Sequence, residues 1–354
     1  MESESKKYNL QKMYISTIGT IINLVLIFIL GFTKYGMAIE NYIRSMSSDI
    51  RISFLIYSIF TIILVLIING LLSYVSYFLE KKYNLSNESL KGWITKQMKV
   101  FLFVILLGVI LMGVLYFLLI KTKENWWLYF LIFMLILNIV LGILTPILIL
   151  PLFYKLTEIK NKKIKEEIDE INRKYNVDIR GIYKFNLSKE TKKANALFTG
   201  FGKSKRILIA DNLLNDFTDE EIISVYLHEL GHLKKRHMLK TIITSFSMLS
   251  ISLFIISKII LLNYLEYINV FKLAFYLSVF QFLTMTVENI FSRKREKEAD
   301  LFAKKVLGSE DGLISALKKL EKQNLVNKNP NKFVEFLFYS HPSIKKRIKY
   351  LIKE

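Results

Sequence analysis

Apolar positions in this chain fall into runs that are too long for a soluble core and almost free of charge. Four come first, at 13–33, 52–79, 100–120 and 126–154. Each reaches the roughly 20 residues that a bilayer span requires. Two weaker runs follow, 241–262 with Lys258 near one end and 273–292 with Glu288 inside it. Lys258 can extend toward the interface, so it does not disqualify its run. Six membrane-spanning helices are therefore expected. The first run is too long for a signal peptide, and no small-residue cleavage pattern follows it.

Between and after these runs the periodicity changes. Residues 156–175 alternate charged and apolar positions with helical spacing. Three short β-rich runs follow, 179–185, 196–201 and 206–210, with Gly200 and Gly202 marking a turn between the last two. A new helix starts where Thr218 and Glu221 form a capping box, and Ile222, Ile223, Val225, Tyr226, Leu227 and Leu230 make it an apolar element. No Pro or Gly follows Gly231, so this helix is expected to continue into the fifth span. After the sixth span, 292–307 reads as that span's helix leaving the membrane, 311–323 as a separate helix, and the tail from Phe333 as ending in a basic one. The expected division is 1–154 (four spans), 155–238 (sheet and buried helix), 239–292 (two spans) and 293–354 (tail).

The chain has 354 residues, is 52% hydrophobic and carries a net charge of +20. Its mean hydropathy is +0.34. With six spans, the N-terminus, 80–99, 155–238 and the tail lie on one side and hold nearly all the Lys and Arg. The positive-inside rule makes that side cytoplasmic. Topology and attraction to anionic lipid account for much of the charge. No basic, aromatic-studded module is present, so nucleic acid is not an expected partner. The absence of cysteine excludes disulfides and thiolate metal ligands.

The chemistry lies in the buried helix, in the run HELGH. His228 and His232 are four apart and share a helical face, so both imidazoles can meet one ion. Glu229 is one step around, within reach of a water on that ion. Two His and an adjacent Glu are the arrangement of a zinc hydrolase. Catalytic zinc takes a third protein ligand. A third His at 238 is ruled out because that residue is Met238, with Lys235 where a glycine would be needed. His237, nine positions beyond His228, falls on the opposite face of a continuous helix. The run SRKREKEADLFA offers Glu296 and Glu298, with Asp300 four beyond Glu296. Spacing alone does not choose between a zinc ligand there and a solvated acidic–basic face. Glu288, an ionisable group at membrane depth, is a further functional candidate.

HELGH, SRKREKEAD and FAKK resemble the type I CAAX prenyl endopeptidase family, integral-membrane zinc metalloproteases that include the HtpX-like enzymes. KKANALFTGFGKSKRILIADNLL, YSHPSIKKRI and FLEKKYNLSNESLKGW resemble further motifs of that family in the same order, so the likeness covers most of the chain. It implies one zinc held by His228, His232 and Glu296, Glu229 as general base, and Asp300 in support. It implies that Asn195 holds the substrate backbone, and that His341 or Arg347 touches substrate or the developing oxyanion. His237 matches a family histidine with a packing role. The chain departs from the pattern in showing six spans where eukaryotic members have seven. Lys297 stands where an aromatic is common, and Lys193 and Ala194 where a His-Ser pair stands.

The expected fold is thus mainly α: a polytopic membrane protein of about six spans with a cytoplasmic zincin-like (gluzincin) unit containing a small β-sheet. The expected protein is an integral multi-pass zinc endopeptidase, in the cell membrane if the host is a prokaryote. Its partners are the bilayer and a peptide or protein substrate, either a prenylated C-terminal peptide or, as for the HtpX-like members, damaged membrane protein. The competing reading is a non-catalytic membrane protein with a structural zinc.

Overall fold

The computed structural model describes residues 2–177, 179–260 and 264–353. The chain begins with α1 (Glu2–Phe32), α2 (Lys34–Met46), α3 (Ile50–Lys82), α4 (Leu90–Thr122), α5 (Trp126–Leu144) and the short α6 (Leu150–Phe153). Five continuous helical stretches among the described residues are long and apolar enough to cross a membrane, one of them 64 residues long, Leu90–Phe153. At 1.5 Å per residue that stretch would span about 95 Å, against a hydrocarbon core of about 30 Å. It folds back on itself instead. Lys123 takes φ 45°, a single 3-10 turn follows, and α4 packs against α5. With that stretch counted as two, six helices among the described residues are long and apolar enough to cross. The amphipathic α2, absent from the expectation, buries Glu40 and Ile43 and exposes Tyr35 and Tyr42.

The remaining elements gather at one end of this bundle. Strand β1 (Leu156–Glu158), α7 (Lys162–Lys174), β2 (Gly181–Phe185), β3 (Ala196–Thr199), β4 (Arg206–Ala210) and α8 (Asp211–Asp216) precede α9 (Asp219–Lys234). The four-stranded sheet runs β1-β2-β4-β3, with β2 and β4 parallel and the other pairs antiparallel. The expected helix at 156–175 is corrected at its start. Residues 156–158 pair with β2, and α7 begins only after Asn161 caps Ile164. Gly200, at φ 96°, turns β3 toward β4 where a Cβ would come within 2.5 Å of the Ser204 carbonyl oxygen.

Helix α9 opens on the expected capping box, Thr218 and Glu221 exchanging bonds of 2.9 and 3.3 Å. It does not run into the fifth span. Lys235 caps it, Arg236 adopts a left-handed conformation (φ 54°, ψ 38°), and α10 (His237–Ile259) starts afresh. Such a cap usually carries Gly or Asn, so an Arg there gave no warning. The expected end of this span at residue 262 lies outside the described residues. Helix α11 (Asn269–Leu307) is unbroken over 39 residues, about 58 Å, joining the sixth span to the unit beyond it. The chain closes with α12 (Asp311–Gln323), α13 (Lys332–Phe338) and α14 (Ile344–Lys353).

Contacts between distant segments put four regions on one side, as the charge pattern requires. Asn9 Nδ2 donates to the Leu325 carbonyl at 2.7 Å. The Lys192 amide donates to the Leu85 carbonyl at 2.8 Å. Lys193 pairs with Glu80 at 2.7 Å, and Lys96 with Glu88 and Glu190 at 2.8 and 3.1 Å. Helices α9 and α11 pack along each other more extensively than any other pair of elements. A Cβ on Gly231 would sit 3.0 Å from the Ala299 Cα, so a side chain there would press α9 away from the α11 backbone.

Candidate metal centre

That close approach sets Glu296 of α11 against the histidine face of α9. His228 Nε2 and His232 Nε2 are 3.2 Å apart. Glu296 Oε2 lies 3.5 Å from His228 Nε2, and Oε1 lies 3.3 Å from His232 Nε2. Donors about 2.0–2.1 Å from one tetrahedral ion are separated by about 3.3–3.4 Å, so each of these separations is close to what a shared zinc ion would set. Glu296 Oε2 is buried and has no properly directed hydrogen bond, although His341 Nδ1 stands 2.9 Å away. An unpartnered buried carboxylate oxygen beside two imidazoles fits a cation. Among the described residues the group has three donors, the catalytic count rather than the closed structural one.

Asp300, one turn beyond Glu296, meets the other nitrogen of His228 at 2.8 Å. It is fully buried and held in turn by Arg347 (Nε at 2.8 Å, Nη2 at 2.5 Å) and by the Tyr350 hydroxyl. Burial works against charge on His228, but the hydrogen bonds to Asp300 and Glu296 outweigh it and push its pKa up to about 10. Burial also opposes charge on Arg347, and Asp300 overcomes it, holding the guanidinium above its ordinary value. Arg347 thus spends its Nε and Nη2 on Asp300.

Glu229 faces the same space. Its Oε2 accepts the Phe198 backbone N–H of β3 at 3.2 Å. Burial raises its pKa above the usual carboxylate range, against the pull of the two histidines. Strand β3 is the sheet's edge, and exposed Asn195 immediately precedes it, its carbonyl accepting the Ala210 N–H at 2.9 Å.

His237 is not on the far face. The left-handed Arg236 swings it back, so that its Nδ1 lies 2.9 Å from His232 Nδ1 and its Nε2 lies 3.1 Å from Glu298. His341 is exposed, in a loop fixed by buried Glu335, which accepts the Ser343 N–H and pairs with Lys346, both at 2.9 Å. Glu288 sits half-buried on α11 about 12 Å before Glu296, apart from the metal group. Sequence reasoning missed Tyr350, Glu335 and the Phe198 amide. The last is a backbone group, for which no residue type gives a signal.

The description of peptidase family M48 matches residues 158–354. That of the CAAX prenyl protease N-terminal region, five membrane helices, matches residues 3–155, where this chain has the long apolar helices α1, α3, α4 and α5 and the shorter α2. The chain is 24% identical to the uncharacterized metalloprotease YhfN of Bacillus subtilis, covering 99% of this chain and 85% of the relative. It is 27% identical to CAAX prenyl protease 1 of Saccharomyces cerevisiae, over 78% of this chain and 67% of that one. The human homolog of that protease is also 27% identical, over 78% and 69%. The crystal structure of S. mikatae Ste24p matches with a TM-score of 0.86 at 25% identity, covering 99% of this chain and 88% of that one.

Proposed function

The chain belongs to peptidase family M48, a metalloprotease family, and from that membership we propose that it is an integral-membrane zinc endopeptidase of CAAX prenyl protease 1 type. The observation that carries the reading is the His228–His232–Glu296 triangle beside Glu229. On this reading 155–238 and 293–354 form the catalytic unit, and 1–154 and 239–292 the membrane unit. The catalytic unit faces the cytoplasm, because the Lys- and Arg-rich segments lie with it.

His228, His232 and Glu296 hold one zinc. When bound, it supplies a Lewis acid that brings the pKa of a bound water to about 7. Glu229, whose raised pKa suits proton transfer, removes the proton from the attacking water and delivers it to the leaving amine. The Phe198 N–H keeps that carboxylate aimed, and Asp300 fixes the His228 ring. The free edge of β3 offers backbone groups to an extended peptide. Asn195 at the start of that strand steadies the peptide, and His341 lies beside Glu296 where charge develops on the scissile carbonyl.

The substrate we assign is a prenylated C-terminal peptide, in keeping with relatives that are CAAX prenyl proteases. The match of the N-terminal membrane region to the same protease supports this over membrane-protein quality control. The test is cleavage of prenylated and unprenylated peptides, with and without chelator, alongside zinc counting. Glu229→Gln is expected to keep its zinc and lose roughly 10²–10⁴-fold in rate. Wild-type turnover in that variant, or activity indifferent to chelation, would sink the assignment.

A further inference from the structure

Helix α13 exposes three phenylalanines in seven residues, Phe333 at 68%, Phe336 at 48% and Phe338 at 49%. It is tethered where α11 leaves the membrane. Asn289 Nδ2 donates to the Leu337 carbonyl at 2.7 Å, and Arg293 Nη1 donates to the Tyr339 carbonyl at 2.6 Å. Just before this point α11 still shows apolar side chains outward, Ile290 and Phe291, and just after it Arg293, Lys294 and Arg295 begin. The tether thus sits at the apolar-to-charged boundary of a spanning helix, and Arg293 also lies 5.8 Å from the Phe336 ring. Exposed Lys328 and Lys332 flank the start of α13.

We propose that α13 is an interfacial anchor whose phenylalanines insert at the headgroup–acyl boundary of the leaflet on the catalytic side. Large aromatic side chains with flanking lysines are suited to that depth, where rings reach acyl chain and ammonium groups meet lipid phosphate. Helix α13 is thus held beside the exposed apolar Ile290 and Phe291 of a spanning helix and shows its own phenylalanines outward, which is why lipid is the occupant assigned. The consequence reaches the catalytic centre, since α13 runs within three residues into His341 and holds that loop through Glu335. The bilayer surface then positions the His341 loop. This inference rests on the membrane span and not on the substrate assigned above.

The chain has no cysteine, so one introduced cysteine labels one site. Phe336→Cys would carry a spin label in the full chain, reconstituted in nanodiscs of phosphatidylcholine and phosphatidylglycerol. Collision with oxygen and with a water-soluble nickel chelate would be compared. Phe282→Cys on the lipid-facing side of α11 and Lys163→Cys on exposed α7 give the lipid and water references. The expected result is oxygen exceeding nickel several-fold at position 336, as at 282. A nickel-dominated pattern matching position 163 overturns the anchor. So does a position 336 that is water-exposed until a hydrophobic peptide is added, which would make the surface a substrate groove. Phe333→Cys repeats the measurement should the first variant fold poorly.

Discussion

His232 Nδ1 lies 2.9 Å from His237 Nδ1, and His237 reaches Glu298 with its other nitrogen at 3.1 Å. With Nε2 of His232 turned to the metal position, its Nδ1–H donates to His237, and the Nε2–H of His237 donates to Glu298. Both ligand histidines are thereby steadied through the nitrogen that does not face the metal, His228 by a carboxylate and His232 by an imidazole. His237→Leu is expected to weaken zinc binding by roughly 10–100-fold. Competition against a graded chelator measures it, with His237→Gln recovering part of the loss. Unchanged zinc affinity in His237→Leu would reduce the contact to packing.

Asp300 and Arg347 form a buried pair, and removing one partner strands the other. Asp300→Ala should lower stability by about 3–5 kcal/mol. Pairing Asp300→Asn with Arg347→Met should be milder than Asp300→Ala alone, because no buried charge is left unmatched. Thermal unfolding of the metal-free forms compares them without interference from zinc. Equal losses in both would show that the charge pairing is not what Asp300 contributes.

Gly231 sets the spacing of the two metal-bearing helices. A valine there must push against the backbone of Ala299, at a cost of about 1–3 kcal/mol. The same displacement moves Glu296 from the histidines. Gly231→Val should therefore lose zinc as well as stability, with Gly231→Ala intermediate. Full zinc occupancy in the valine variant would refute this account of the glycine.

Away from the metal group, part of the acid sensitivity should come from Glu221 and Glu335. Burial alone would raise both, but Ser315, the Thr218 N–H and Lys319 hold Glu221 below its ordinary value, and Lys346 with the Ser343 N–H does so for Glu335. A depressed folded-state pKa contributes stability that is present above the unfolded value, 4.5 for each, and is lost as pH falls through the lower folded value. Stability should thus decline on acidification below about pH 4.5. Glu335→Gln and Glu221→Gln should each flatten the decline when unfolding is followed against pH. An unchanged slope in both variants would place the sensitivity elsewhere.

Much of this was legible in the chain. Charge-free length marked the six spans, and the basic residues put four segments on one side, because both signals are local and additive. HELGH placed two histidines of the proposed metal group on one helical face through spacing alone. Glu296 needed the family likeness, since spacing cannot say that α9 and α11 touch. The break at Arg236 was invisible because neither Gly nor Pro marks it, and with it went the true position of His237. Residues 156–158 looked helical because three residues of strand are too few to show alternation against the charged helix that follows.

Helix α11 joins Glu296 to the sixth span with no break, whereas Arg236 breaks the helix between the histidines of α9 and the fifth span. Glu296 lies about 20 Å along α11 from the middle of its span, so one unbroken rod carries it out of the bilayer, while the two histidines sit on a segment jointed away from their own span.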